Sequence, residues 1–260
     1  VTPLADGSVA IPDGNLFPKD GSQGRPEIYV MGNRNPYRIS IDPRTGYLYW
    51  GEVGPDAGNL NPKRGPAGFD EINQARQAGF FGWPYFIANN KAYVRYDFGG
   101  KESLEPWDAA QPVNLSPNNT GGKHLPAAQS AFIYYPHSLS ARFPAVNAGG
   151  GRTAMAGPVY YYDEEQQSPH RLPSVYDHHL FIYEWSRNWI IAVRLDEDEK
   201  IANPRKDLHR FLPGMTFKRP MDMELGPDGC LYLIQWGTQW GDNNDTQLIR
   251  LEFHGNANAG

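Results

Sequence analysis

Long apolar runs are missing from this 260-residue chain, and so is any stretch approaching the roughly 20 residues of a membrane span. Cysteine is nearly absent: Cys230 is alone, which excludes an internal disulfide. No run of lysine and arginine occurs, and the formal charge is −5, so neither nucleic acid nor an anionic membrane is an expected partner. Long Ala/Leu/Glu/Lys stretches are missing too, and few helices are expected. There is no Gly-rich phosphate loop, nucleophile elbow or His-Glu-x-x-His helix. The seven histidines (124, 137, 170, 178, 179, 209 and 254) form no metal-ligand spacing along the chain, and His178-His179 in a strand point to opposite faces. The chain opens on "VTPLADGSVAIPDGN" without initiator methionine or signal peptide, as a processed product or an excised segment would.

What is present is glycine (28), proline (23) and 13% aromatic residues. Such punctuation between short aromatic and β-branched runs predicts an all-β chain: sandwich, barrel or propeller. One unit recurs. "NPYRISIDPRTGYLYWGEVG" aligns, with one deletion, against "RPMDMELGPDGCLYLIQWG", matching Pro36 with Pro220, Pro43 with Pro227, Gly46 with Gly229 and Gly54 with Gly237. A fainter third copy runs from "AGPVYYYD" to "HHLFIYEWSRN", its hairpin lengthened by "EEQQSPHRLPSVYD". Strand-like "FDEIN", "WIIAVRLDED" and "QLIRLEF" follow the three copies. Repeated hairpins with an added outer strand favour a β-propeller over a sandwich. The expectation is a partial propeller over 1–260, with about three to four blades and a long loop-rich insertion around 84–150. A half-propeller exposes two blade faces, so a complement is expected, either from the same parent chain or from a second copy.

The stretch "RPEIYVMGNRNPYRISIDPRTGYLYWGEVGPD", then "FDEIN" and "GFFGWP", resembles the soluble PQQ-dependent glucose and sorbosone dehydrogenases. "GRTAMAGPVYYYD", "LFIYEWSRNWI" and "FKRPMDMELGPDGCLYL" are similar to the sugar dehydrogenase branch of that family. The resemblance covers most of 25–253 and implies the C-terminal half of a six-bladed propeller. It implies pyrroloquinoline quinone (PQQ) and Ca2+ over the channel, a sugar as substrate, and a bacterial periplasmic or secreted location.

Carried residue by residue, the resemblance makes Arg34 and Asn35 the cofactor-contacting pair. A guanidinium fork suits the carboxylates of a tricarboxylic quinone. It makes the carbonyls of Gly54 and Pro55 ligands of the catalytic calcium, a hard cation that takes about six to eight oxygens. Glu71, assisted by the Phe81 carbonyl, is the candidate for a structural calcium. Arg219 keeps one of two quinone-side arginines, while Met221 replaces the other. Ser186 stands at a lysine position with Arg187 beside it as the candidate substitute. Arg152 stands at an aromatic contact position and completes the cofactor candidates. Val53 replaces a polar contact, and the family's catalytic histidine has no counterpart here. The expected function is therefore part of a sugar dehydrogenase that is inactive as this fragment. The alternative is a non-catalytic propeller module that binds carbohydrate or a protein partner.

Overall fold

The turn chemistry of the repeated hairpin sets the architecture. In the computed structural model, which describes residues 1–147 and 149–255, Asp42 is fully buried and organises the first turn. Its carboxylate accepts hydrogen bonds from Arg44 N (2.9 Å), Thr45 Oγ1 (2.6 Å) and Tyr161 Oη (2.8 Å), and its carbonyl accepts from Gly46 N (2.9 Å). Gly46 closes the turn at φ +72°, where a Cβ is strained. In the last copy the backbone turn recurs, Gly229 at φ +71° donating to Gly226 O at 2.9 Å, and an acid on the other side of the proline, Asp228, accepts from Cys230 N at 3.2 Å.

Three antiparallel meanders follow. The first is β1 (Pro36–Ile41), β2 (Leu48–Glu52), β3 (Asp70–Ala75) and β4 (Ile133–Tyr135). The second is β5 (Ala154–Tyr160), β6 (His179–Glu184), β7 (Trp189–Arg194) and β8 (Leu208–Arg210). The third is β9 (Pro220–Leu225), β10 (Leu231–Gln235) and β11 (Gln247–Leu251). In each sheet the register of the first strand pair shifts once, at Pro36/Ile39, Ala156/Val159 and Pro220/Asp222. Each shift puts one extra residue on the first strand, after its first paired residue in the first and third sheets and two residues further along in the second. Between β3 and β4 the chain makes a long excursion with small hairpins, Phe86–Ile87 with Lys91–Ala92 and Val94–Asp97 with Glu102–Pro106.

The second sheet lies between the other two and is apolar on both faces. Ala154, Ala156, Leu180, Ile182 and Ile191 pack with Tyr49, Ile72 and Tyr135 of the first sheet. The alternate residues Met155, Phe181, Tyr183 and Ile190 pack with Met223, Leu231 and Leu233 of the third. After the irregularity in β5 the parity reverses: Val159 faces the first sheet and Tyr160 the third. Doubly buried strands explain the unbroken apolar runs of "LFIY" and "WIIAV". On the outer faces, Ile39 and Ile41 are exposed on β1, as are Ile234 and Leu248 on the third sheet. Among the described residues, no helix is long and apolar enough to cross a membrane.

Candidate functional site

Antiparallel meandering brings the start of each first strand, the end of each second strand and the start of each third strand to one edge. Pro36 pairs with Glu52, which pairs with Glu71; Ala154 pairs with Glu184; Pro220 pairs with Gln235. At this rim one contact repeats. Glu52 Oε1 accepts the backbone N–H groups of Arg34 and Asn35, the latter at 2.7 Å. Glu184 accepts the N–H of Thr153 through Oε1 and that of Arg187 through Oε2 at 2.5 Å. Gln235 Oε1 accepts Lys218 N at 2.6 Å. The last residue of each second strand thus ties down the chain entering its own sheet, and it satisfies N–H groups that lack a ladder partner.

Burial dominates the electrostatics of these carboxyls. Burial raises Glu52, and it pushes Glu184 up to about 7 against the N–H groups of Thr153 and Arg187. Burial also pushes Glu71 up to about 8, against hydrogen bonds from Ala88 N and Asn73 that act downward. Asp70 is pushed up to about 6, with Arg152 opposing the shift. Asp70 joins two sheets: Oδ1 accepts Gly54 N (3.1 Å) and Oδ2 accepts Ala154 N (3.0 Å).

The structure brings several of the expected residues together. Arg34, Glu52, Gly54, Glu71 and Phe81 line one small cavity. Among the described residues, Glu52 Oε2 is buried there without a hydrogen-bond partner. At Glu71, Oε1 accepts Ala88 N and Oε2 accepts Asn73 Nδ2 at 3.1 Å. Two buried carboxylates, one with an orphaned oxygen, fit a hard cation such as calcium. The sequence pattern singled out Glu71 but not Glu52. Its one signal was the alignment of Glu52 with Gln235, an acid against a neutral amide of similar shape.

The second metal position does not fit calcium in the same way. The Pro55 carbonyl accepts Arg152 Nη2 at 2.8 Å, so a guanidinium already occupies it. Gly54 is held closely, because a Cβ there would lie 1.7 Å from Phe69 O.

Nor are the quinone-side arginines free. Arg152 is buried, with Nε 3.7 Å from Asp70 Oδ1, and its Nε and Nη1 have no hydrogen-bond partner among the described residues. Arg187 donates to four backbone carbonyls: Gly151 (2.9 Å), Val146 (3.2 Å), Asn147 (2.5 Å) and Pro136 (2.9 Å). Arg219 donates to Gln239 O (2.5 Å) and lies over the rings of Trp185 and Trp240, 4.8 and 5.5 Å from their centroids. Arg34 keeps an exposed head, anchored by one bond from Nη1 to Val53 O (2.8 Å). Asn35 is exposed beside it. A tricarboxylic quinone therefore does not fit these arginines as a set; Arg34 alone presents its guanidinium outward. Around Met221 the surface is an aromatic groove lined by Tyr37, Trp185, Trp236 and Trp240.

Residues 4–125 match the family model of glucose/sorbosone dehydrogenases. The chain is glucose/sorbosone dehydrogenase-like. A HIPL1 protein of Arabidopsis thaliana is 28% identical over 121 residues, which is 45% of this chain and 16% of that protein. A solved glucose dehydrogenase superposes with a TM-score of 0.52 at 22% identity, covering 95% of this chain and 51% of its own. A putative oxidoreductase (glucose dehydrogenase) of Thermus thermophilus gives 0.50 at 17% identity, over 92% of this chain and 50% of its own. The chain thus spans about half the length of these solved proteins and 16% of the curated relative. At such identities the structural likeness carries the fold, the nearly all-β arrangement of the β-propeller sugar dehydrogenases.

Proposed function

We propose that this chain is the part of a sugar-oxidising, glucose/sorbosone dehydrogenase-like propeller that carries a calcium-binding wall of the channel. In this reading its three sheets are three of six blades. The observation that carries it is the cavity where Arg34, Glu52, Gly54 and Glu71 meet and Glu52 Oε2 lacks a partner. Calcium there is held by Glu71 and Glu52, with the Phe81 carbonyl as a third oxygen. Sugar oxidation belongs to the whole protein; of the arginines here only Arg34 would offer its guanidinium to a quinone carboxylate, and the remaining contacts would come from outside this chain. The exposed apolar pairs Ile39–Ile41 and Ile234–Leu248, on the two outer faces, support a complementary half from the same parent. The parent is a periplasmic or secreted protein.

Calcium binding is tested on this chain by thermal unfolding with and without calcium. We expect calcium to raise the Tm, and Glu71→Gln to abolish the rise; an unchanged Tm sinks the calcium wall. Activity is tested on the parent protein with PQQ, calcium and a redox dye over a panel of aldoses. Dye reduction supports the oxidoreductase reading.

A second reading has its own support. Arg152, Arg187 and Arg219 are engaged within the fold, and the tryptophan groove lies around Met221. These favour a non-catalytic propeller that stacks a carbohydrate on Trp185, Trp236 and Trp240. Sugar binding without dye reduction selects it.

A further inference from the structure

His170 meets Glu252 and His254, about eighty residues further along the chain, at the outer edge of the third sheet. His170 lies in the long connection between β5 and β6. Its carbonyl accepts hydrogen bonds from Phe253 N (3.1 Å) and from the buried Cys230 Sγ (3.1 Å), which pins this loop beside the chain leaving β11. Glu252 and His254 follow β11. Glu252 Oε1 is held by Arg250 Nη1 at 2.6 Å, and Arg250 is itself held by Asp228 at 2.8 Å. The carboxylate is thereby fixed with Oε2 toward the two imidazoles, 3.1 Å from His254 Nε2 and 4.0 Å from His170 Nδ1. The imidazole centroids are 4.5 Å apart, and one ligand atom from each of the three residues lies within 4.8 Å of the others.

These separations have a specific meaning. A tetrahedral ion with bonds of about 2.0–2.1 Å sets its ligand atoms roughly 3.3 Å apart. The Glu252–His254 distance already matches; His170 Nδ1 needs to close on Glu252 Oε2 by less than about 1 Å, releasing its 3.3 Å contact with Phe253 O, and on His254 from a separation of at most 4.8 Å. Two imidazole nitrogens and one carboxylate oxygen form a borderline donor set that selects transition metals over calcium. Glu252 and His254 are exposed, so a fourth position is open to water.

We propose that His170, Glu252 and His254 bind one divalent transition-metal ion, with zinc as the probe. The ion clasps the β5–β6 loop of the second sheet to the edge of the third. The site stands apart from the carboxylate cavity at the rim and is independent of the sugar dehydrogenase reading.

Isothermal titration of this chain with zinc chloride tests it, comparing the native chain with His170→Ala, His254→Ala and Glu252→Gln. The expected result is one ion per chain, at least tenfold weaker binding in each variant, and no competition from millimolar calcium. The His254 side chain is 69% exposed, so His254→Ala keeps the fold even if His170→Ala does not. The clasp adds a second readout: zinc raises the Tm of the native chain and not that of His254→Ala. No binding at one ion per chain, or undiminished affinity in His254→Ala, overturns the site; binding without a rise in Tm overturns the clasp.

Discussion

Replacing Glu184 with glutamine separates the two things this residue does, holding backbone N–H groups and carrying a buried charge. The carboxyl is fully buried, and burial raises it from 4.5 to about 7. A raised carboxyl binds its proton more tightly in the folded state. Its stabilising contribution is therefore complete below about pH 4.5 and is lost as pH rises through about 7. Linkage over that interval gives a penalty of about 1 kcal/mol near pH 5 and on the order of 3 kcal/mol near pH 8. The native chain should thus lose about 2–3 kcal/mol between these conditions through Glu184 alone.

In Glu184→Gln the amide oxygen keeps the Thr153 N–H, as Gln235 keeps that of Lys218. The amide NH2 faces the N–H of Arg187, which costs about 1–3 kcal/mol at every pH. The variant should therefore be as stable as the native chain or less so near pH 5, and as stable or more so near pH 8, the difference between the two shifting by about 2–3 kcal/mol in its favour. Glu71, also raised, contributes a nearly equal slope to both proteins and cancels in the comparison, whereas Asp70, whose charge helps to raise Glu184, titrates together with it in the native chain. Urea unfolding at the two pH values, with matching m-values, measures the difference. Parallel pH dependences for the two proteins would refute the claim that Glu184 is a buried, titrating charge.

Arg152→Met removes the guanidinium beside Asp70 and the donor to Pro55 O, leaving a carboxylate buried among N–H groups. It should destabilise the chain by about 3–5 kcal/mol, read as a fall in the urea midpoint; a loss under about 1 kcal/mol would show that Asp70 is held by its backbone donors alone. Trp240 is 76% exposed on the groove, so Trp240→Ala should shift stability by less than about 0.5 kcal/mol. In the sugar-stacking reading it weakens carbohydrate affinity severalfold by titration calorimetry, and unchanged affinity removes Trp240 from the groove's function.

The hairpins were legible because their turns are chemically overdetermined. Asp42 and Asp228 each bond N–H groups ahead of them, and Gly46 and Gly229 take the positive φ that closes each turn. Alternation then follows from which face is covered, and the middle sheet loses its alternation because both faces are. The fourth strands escaped notice for a different reason. Ile133–Tyr135 and Leu208–Arg210 are three residues long, and they become strands only because β3 and β7 offer them an edge. The rim was legible in part. Resemblance divided the residues among three roles, Arg34 for the cofactor, Gly54 for one calcium and Glu71 with Phe81 for another, whereas the fold brings all four to the lining of one cavity. What engages Arg152, Arg187 and Arg219 was hidden, since their partners include backbone carbonyls of irregular loops, which leave no pattern in sequence. The histidines were hidden by distance along the chain: His170 and His254 meet through folding, not spacing.

The repeated rim contact also yields the sharpest discrimination between charge kept for architecture and charge kept for a ligand. Position 235 shows that a neutral amide suffices to hold the entering strand. Glu184 uses both oxygens on backbone N–H groups, so its acceptor capacity is matched within the fold. Glu52 uses Oε1 on two N–H groups and leaves Oε2 buried and unpartnered, facing a cavity shared with Glu71. An unpaired buried acceptor costs about 1–3 kcal/mol, which a cation in that cavity relieves. Glu52→Gln should therefore keep the fold, through the same contact that Gln235 makes, and lose the calcium-induced rise in Tm. Glu184→Gln should keep that rise in full. If both variants respond to calcium as the native chain does, the orphaned oxygen of Glu52 is not a metal ligand, and its charge is only a cost of closing the first sheet.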